Sequence, residues 1–196
     1  MNYSRPVNSS VRSHYFMTEL DFIRMIQSRA ARIAVGPSTV RGRGNAGSVT
    51  AARNFLRRLD LSAFGVNDAD TFASELDRAT EMLRTALPHG AQHWGIARKA
   101  LNIFLRDCFY TSYLMSAFHL DRVESFLELP LDSITAKRLC DAPSGTLLRW
   151  PGVKHLTAPV SEQLQRVAAD EARKLQIARV HLDAFWWSVA RDDDAT

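Results

Sequence analysis

Two side chains stand out for the chemistry their surroundings would allow. Lys99 lies in Trp94-Gly95-Ile96-Ala97-Arg98-Lys99-Ala100, where a glycine opens a run of helix-forming residues. Two cations in the first turn of a helix oppose its dipole, and a local conflict of that kind points to function. Among apolar neighbours the ammonium loses hydration, which favours the neutral, nucleophilic amine. The simpler account is an ordinary exposed lysine. Asp132 follows Pro130 in Leu129-Pro130-Leu131-Asp132-Ser133. Proline forces an extended approach, after which Asp132 or Ser133 caps a short helix. Capping alone would account for an aspartate at this place.

Three stretches could hold phosphate. Arg41-Gly42-Arg43-Gly44-Asn45-Ala46-Gly47-Ser48 joins cations to glycines just before a helix start. Backbone N–H groups at such a start bind anions, and Arg41, Arg43 and Asn45 would add side-chain donors. The same composition also suits a solvated linker. The turn Gly95–Ala97, with Arg98 beside it, offers exposed amides. Trp150-Pro151-Gly152-Val153-Lys154-His155 mixes Gly152, Lys154 and His155 between two helical patterns. It reads as a phosphate clip or as a plain surface loop.

Charge supports an anionic partner. The chain of 196 residues carries 25 Lys+Arg against 21 Asp+Glu, a net +4. Residues 1–58 hold ten arginines and two acids, whereas residues 59–94 hold two arginines and six acids. The excess at one end suggests an anionic partner such as nucleic acid. No apolar run is long enough to span a bilayer, and residues 1–16 lack the pattern of a secretory signal. A cytoplasmic protein is expected. Cys108 and Cys140 stand alone, and the one histidine pair at ligand spacing, His89 and His93, falls where Pro88 and Gly90 argue against a helix, so no metal or cofactor is expected.

The elements that must position these residues read as helices. Phe22, Ile23, Ile26, Ala30 and Ile33 share one face behind a Thr18-x-x-Asp21 cap, and Gly36-Pro37 ends it. Ser48 is expected to cap a second helix. A third runs from Asp68 or Asp70 to Pro88, and a fourth from about Ala97 to Phe118. A short one spans Ile134–Leu139. The last begins after Pro159-Val160-Ser161 and carries Leu164, Val167, Ala168, Leu175, Leu182, Phe185 and Val189 inward, with a break near Gln176–Ala178. Period-2 strands are missing. The expectation is an all-α, single-domain helical bundle over residues 1–196.

These pieces together resemble the helix-hairpin-helix DNA glycosylases. Gly95 and Lys99 keep the four-residue spacing of the family's Leu-Pro-Gly-Val-Gly-x-Lys hairpin, with Ala97 at the second glycine. Leu129-Pro130-Leu131-Asp132-Ser133 is similar to its Val-Pro-Val-Asp-x segment, which carries the catalytic aspartate. The 33 residues from Lys99 to Asp132 look most like the archaeal 8-oxoguanine glycosylase branch. His181-Leu182-Asp183-Ala184-Phe185-Trp186-Trp187 resembles that branch's C-terminal helix, where Asp183 and Trp187 would line the base pocket. The resemblance covers residues 90–190. It implies a helix-hairpin-helix-type DNA-binding motif, Lys99 as amine nucleophile, Asp132 as activating or charge-stabilising carboxylate, and Trp187, Trp186 or Trp94 stacking on a flipped base. It also implies that the basic third clamps DNA beside the site, with the acidic stretch turned away from the duplex. It further implies a monomer acting on double-stranded DNA, on 8-oxoguanine or on a hypermodified phage base such as glucosylated hydroxymethylcytosine. A non-enzymatic helical DNA-binding protein and a helical protein-interaction module using Trp186-Trp187 are the alternatives.

Overall fold

A computed structural model describes residues 17–37, 39, 47–145 and 147–186. Among these the architecture is all-α, and no strand is present. Side-chain caps account for some of the helix starts. Helix α1 (Glu19–Ala34) begins at Thr18, whose hydroxyl accepts from the Asp21 N–H at 3.1 Å while Asp21 bonds back in a full capping box. Helix α3 (Ala69–Ala86) begins at Asp68, which accepts from the Thr71 N–H. Helix α2 (Ser48–Leu56) departs from expectation. Its N-cap is Gly47, at φ +103°, and Ser48 is a buried first-turn residue.

Helix α4 (Trp94–Phe109) starts three residues before the expected Ala97 and stops well before Phe118. A separate α5 (Ser112–Ala117) follows. The apolar pattern continues across the break, but the chain turns at Tyr110-Thr111, where the Thr111 hydroxyl donates back to the Asp107 carbonyl at 2.7 Å. Helix α6 (Ser133–Asp141) lies where the pattern places it, whereas α7 (Ala158–Lys174) starts earlier than expected, with Pro159 inside its first turn, where a missing N–H costs no helical bond. The expected break after α7 is present, with a 3-10 turn at Arg179–His181 and a helical segment at 182–186. Ile33, Leu175 and Phe185, expected inward, are exposed; α1 buries Ala30, Ala31 and Ala34 instead.

Two apolar clusters organise these helices. The first gathers α1 to α5 around Phe64, Phe72, Leu101 and Phe104. The second joins Leu129 and Leu131 to α6, α7 and Leu182. Helix α4 belongs to the first through most of its length, but its opening residue Trp94 packs on the second. Each fully buried Leu or Phe contributes about 1.5–3 kcal/mol. Lys99 on α4 and Asp132 at the head of α6 therefore face each other across the seam between the clusters.

Residues 127–132, outside any helix, deliver Asp132 to that seam, and neighbouring side chains hold them. Arg179 donates to the Phe126 and Leu127 carbonyls. Buried Gln165 donates to the Leu129 carbonyl at 2.8 Å and accepts from its N–H at 3.0 Å. The Thr135 hydroxyl donates to the Pro130 carbonyl. Without a sheet, this backbone gets its hydrogen bonds from side chains, as buried backbone must.

Candidate active site

The seam opens into a cavity of about 640 Å³ bordered by Lys99, Arg106, Asp132, Trp150, Gly152 and Asp183. Lys99 Nζ stands 3.6 Å from Asp132 Oδ2, with the two side chains 12% and 29% exposed. The aspartate divides its oxygens between two tasks. Oδ1 accepts from the N–H groups of Ile134 (2.9 Å) and Thr135 (3.0 Å), capping α6. Oδ2 is turned to the lysine. The cap thus occupies one carboxylate oxygen and leaves the other facing Lys99. Thr135 closes the box by accepting from the Asp132 N–H at 2.9 Å, which fixes the carboxylate's backbone.

Lys99, Ile103 and Arg106 fall at i, i+4 and i+7 on α4, so one stripe of the helix lines the cavity. Arg106 Nη1 donates to Asp183, while its Nε and Nη2 hold Asp107 Oδ1 at 3.2 and 3.0 Å. Burial pushes the Asp107 carboxyl up, and Arg106 offsets part of that. A second cavity, about 710 Å³, adjoins the first, shares Thr39, Ile103 and Arg106 with it, and reaches Arg29 and Tyr110.

The loop Trp150–His155 closes another wall. Gly152, at φ +85°, takes the left-handed turn that a side chain disfavours, and the His155 N–H donates to its carbonyl at 3.0 Å. Lys154 is half-buried and His155 exposed. This loop presses on α4 at Gly95, where a Cβ would come within 2.2 Å of the Val153 carbonyl oxygen.

Several assignments made from sequence are corrected. Gly95 and Ala97 are not an exposed anion-binding turn. Gly95 is buried under Val153 and Leu156, and Ala97 is fully buried with its N–H bonded to the His93 carbonyl. Arg98 is not a surface contact to a nucleic-acid backbone. It is buried, donating bidentately to Glu128 at 2.8 and 2.9 Å and through Nη1 to Asp77 and Thr80. Burial works against the Glu128 carboxylate, but Arg98 and the Asn102 amide outweigh it and hold the carboxyl below its ordinary value.

Trp94 is not turned to the cavity. It packs on the second cluster, with the Arg98 guanidinium 5.2 Å from its ring. Trp186 packs on the same cluster, with Arg138 5.7 Å from its ring. Among the described residues, Trp150 is the aromatic side chain in the cavity wall. Asp183 does border the cavity, already engaged by Arg106. Trp187, Arg41, Arg43 and Asn45 lie outside the described residues. Within the basic third, Arg53 serves the fold by donating to the Val35 and Arg32 carbonyls at the end of α1. Ile103 and Arg106 escaped sequence reasoning, although counting helical spacing forward from Lys99 would have found both.

Among the described residues no cluster of three or more His, Cys, Asp or Glu is placed to hold a metal ion, and no helix is long and apolar enough to cross a membrane. The site combines an amine, a fixed carboxylate, an aromatic wall and a guanidinium in one open cavity. In comparisons with known proteins, no family model, no curated protein and no solved structure matches the chain.

Proposed function

We propose that the chain is a DNA glycosylase that flips a modified base out of the duplex and excises it, with Lys99 as nucleophile and Asp132 as the activating, charge-stabilising carboxylate. The observation that carries this reading is the approach of Lys99 Nζ to Asp132 Oδ2, 3.6 Å, in the wall of an open cavity. These are the two residues that the sequence resemblance singles out.

The chemistry follows from the groups present. Extruding a base costs a few kcal/mol, offset by stacking and hydrogen bonds in the pocket. Trp150 offers a stacking face, and Arg106 with Asp183 offers polar contacts. Breaking the glycosidic bond develops positive charge on the sugar, which the anionic Asp132 stabilises. Nζ must first lose its excess proton, and Asp132 Oδ2 is the carboxylate paired with it. Attack of the neutral amine on the sugar carbon forms the C–N bond as the bond to the base breaks. The base leaves carrying a proton relayed through Asp132. Opening of the sugar ring turns the adduct into a Schiff base. Eliminating the 3′ phosphate from that imine would nick the strand.

The substrate is proposed to be 8-oxoguanine or a hypermodified phage base such as glucosylated hydroxymethylcytosine. The corresponding roles are repair or antiviral defence. The protein is proposed to act as a monomer in the cytoplasm. Oligonucleotides carrying 8-oxoguanine, uracil, alkylated purines and sugar-modified hydroxymethylcytosine decide the matter. Lys99→Ala and Asp132→Asn should abolish base release while DNA affinity stays within about tenfold, because phosphate contacts dominate affinity. Salt-sensitive DNA binding with no base released from any of them would replace this reading with a non-enzymatic DNA-binding protein.

A further inference from the structure

We infer that Arg106, acting with Asp183, reads the edge of the bound base and selects bases that present a hydrogen-bond acceptor beside a donor. The inference rests on the glycosylase reading above. The α4 stripe sets the scale: seven residues separate Lys99 from Arg106, about 10 Å along the axis at about 1.5 Å per residue. Lys99 at one end would meet the sugar carbon. Ile103 between them gives an apolar surface against the face of a base. Arg106 then stands where the base's far edge would lie.

What stands there is a matched pair of opposite character. A guanidinium only donates hydrogen bonds, and an ionised carboxylate only accepts them. Arg106 and Asp183 are bonded to each other, and their side chains are 17% and 14% exposed while bordering the cavity. Side by side they complement an edge in which an acceptor adjoins an N–H donor, such as a lactam or an amidine. Asp107 grips Arg106 through Nε and Nη2, so the guanidinium's orientation is set from behind and Nη1 is left to the Asp183 side. A base lacking either partner leaves one buried charge facing the wrong group, and sites built on such bonds reject the mismatched analogue strongly.

The test compares two readouts on one protein, since an abasic site has no base edge to read. Borohydride trapping on abasic DNA reports Lys99 and DNA binding alone. Release of the base that the parent excises best reports edge reading as well. In Arg106→Met and Asp183→Asn the ratio of release to trapping should fall about 100-fold or more. Methylating the edge N–H of that base should cost the parent a similar factor and cost Asp183→Asn far less, as expected for groups that interact directly. An unchanged ratio, either because both activities fall together or because neither falls, overturns the inference while leaving the glycosylase reading in place. A parent protein that neither traps nor releases overturns both.

Discussion

Replacing Glu128 by Gln should unmask what holds the two halves of the site in register. Glu128 accepts three side-chain hydrogen bonds, two from Arg98 and one from Asn102, with its side chain 13% exposed and that of Arg98 8% exposed. Arg98 precedes Lys99, and Glu128 lies four residues before Asp132, so this ion pair ties the two segments together directly. Glutamine preserves the shape but removes the charge, and either its amide faces Arg98 donor to donor or its single oxygen is shared. The remaining carboxylate on Arg98, Asp77, is 66% exposed and well solvated. Breaking one partner of a buried pair costs about 3–5 kcal/mol. For a chain of this size that corresponds to a fall in Tm of roughly 6–20 °C. Thermal and urea unfolding followed by circular dichroism measure it. The double variant Arg98→Met/Glu128→Gln removes the orphaned cation, keeps an acceptor for Asn102, and should recover at least half of the loss. The pH dependence has a defined sign. The Glu128 carboxyl titrates lower in the folded chain than in the unfolded one, so its stabilisation is present above the ordinary glutamate value of 4.5 and is lost as pH falls below it. The gap between parent and Glu128→Gln should therefore close in acid. A Glu128→Gln protein within about 0.5 kcal/mol of the parent at neutral pH would refute this reasoning, as would a double variant no more stable than the worse single.

Three further outcomes follow from particular contacts. Gly95→Ala should cost about 1–3 kcal/mol, because its Cβ would meet the Val153 backbone oxygen at 2.2 Å and push the Trp150–His155 loop off α4; Trp fluorescence and urea unfolding report both effects. Asp132→Ala should cost about 0.5–2 kcal/mol through the lost cap, whereas Asp132→Asn keeps an oxygen for the Ile134 and Thr135 amides and should melt close to the parent. A thiol reagent should label at most one cysteine in the native protein and two after denaturation, since Cys108 is fully buried and burial pushes its thiol well up, while Cys140 is half-buried.

Local rules made much of the fold legible in the sequence. The Thr18 capping box, the Asp68 cap and the break after α7 depend on residues a few positions apart, and all three are present. Asp132 could be placed at a helix start for the same reason. Long-range partners were not legible. Arg98 looked like a surface cation beside a glycine because its counterions come from 21 and 30 residues away. Gly95 suggested close approach to a phosphate, but its close neighbour is the Val153 carbonyl. The tryptophans divided in a way composition does not encode: Trp94, Trp150 and Trp186 all pack on the second cluster, and Trp150 also borders the cavity. Asp183 was expected to face a base directly. A partner 77 residues earlier, Arg106, turned it into half of a pair.

The proposed attack of Lys99 on the sugar, with Asp132 opposite it, leaves a chemical trace. Borohydride reduction during turnover on DNA carrying the excised base captures it, because an imine between Lys99 and the sugar becomes a permanent crosslink. The parent should give a crosslinked species that maps to Lys99 by peptide mass, and Lys99→Ala should show neither crosslink nor base release. Base release by Lys99→Ala at the parent's rate would contradict the proposed attack.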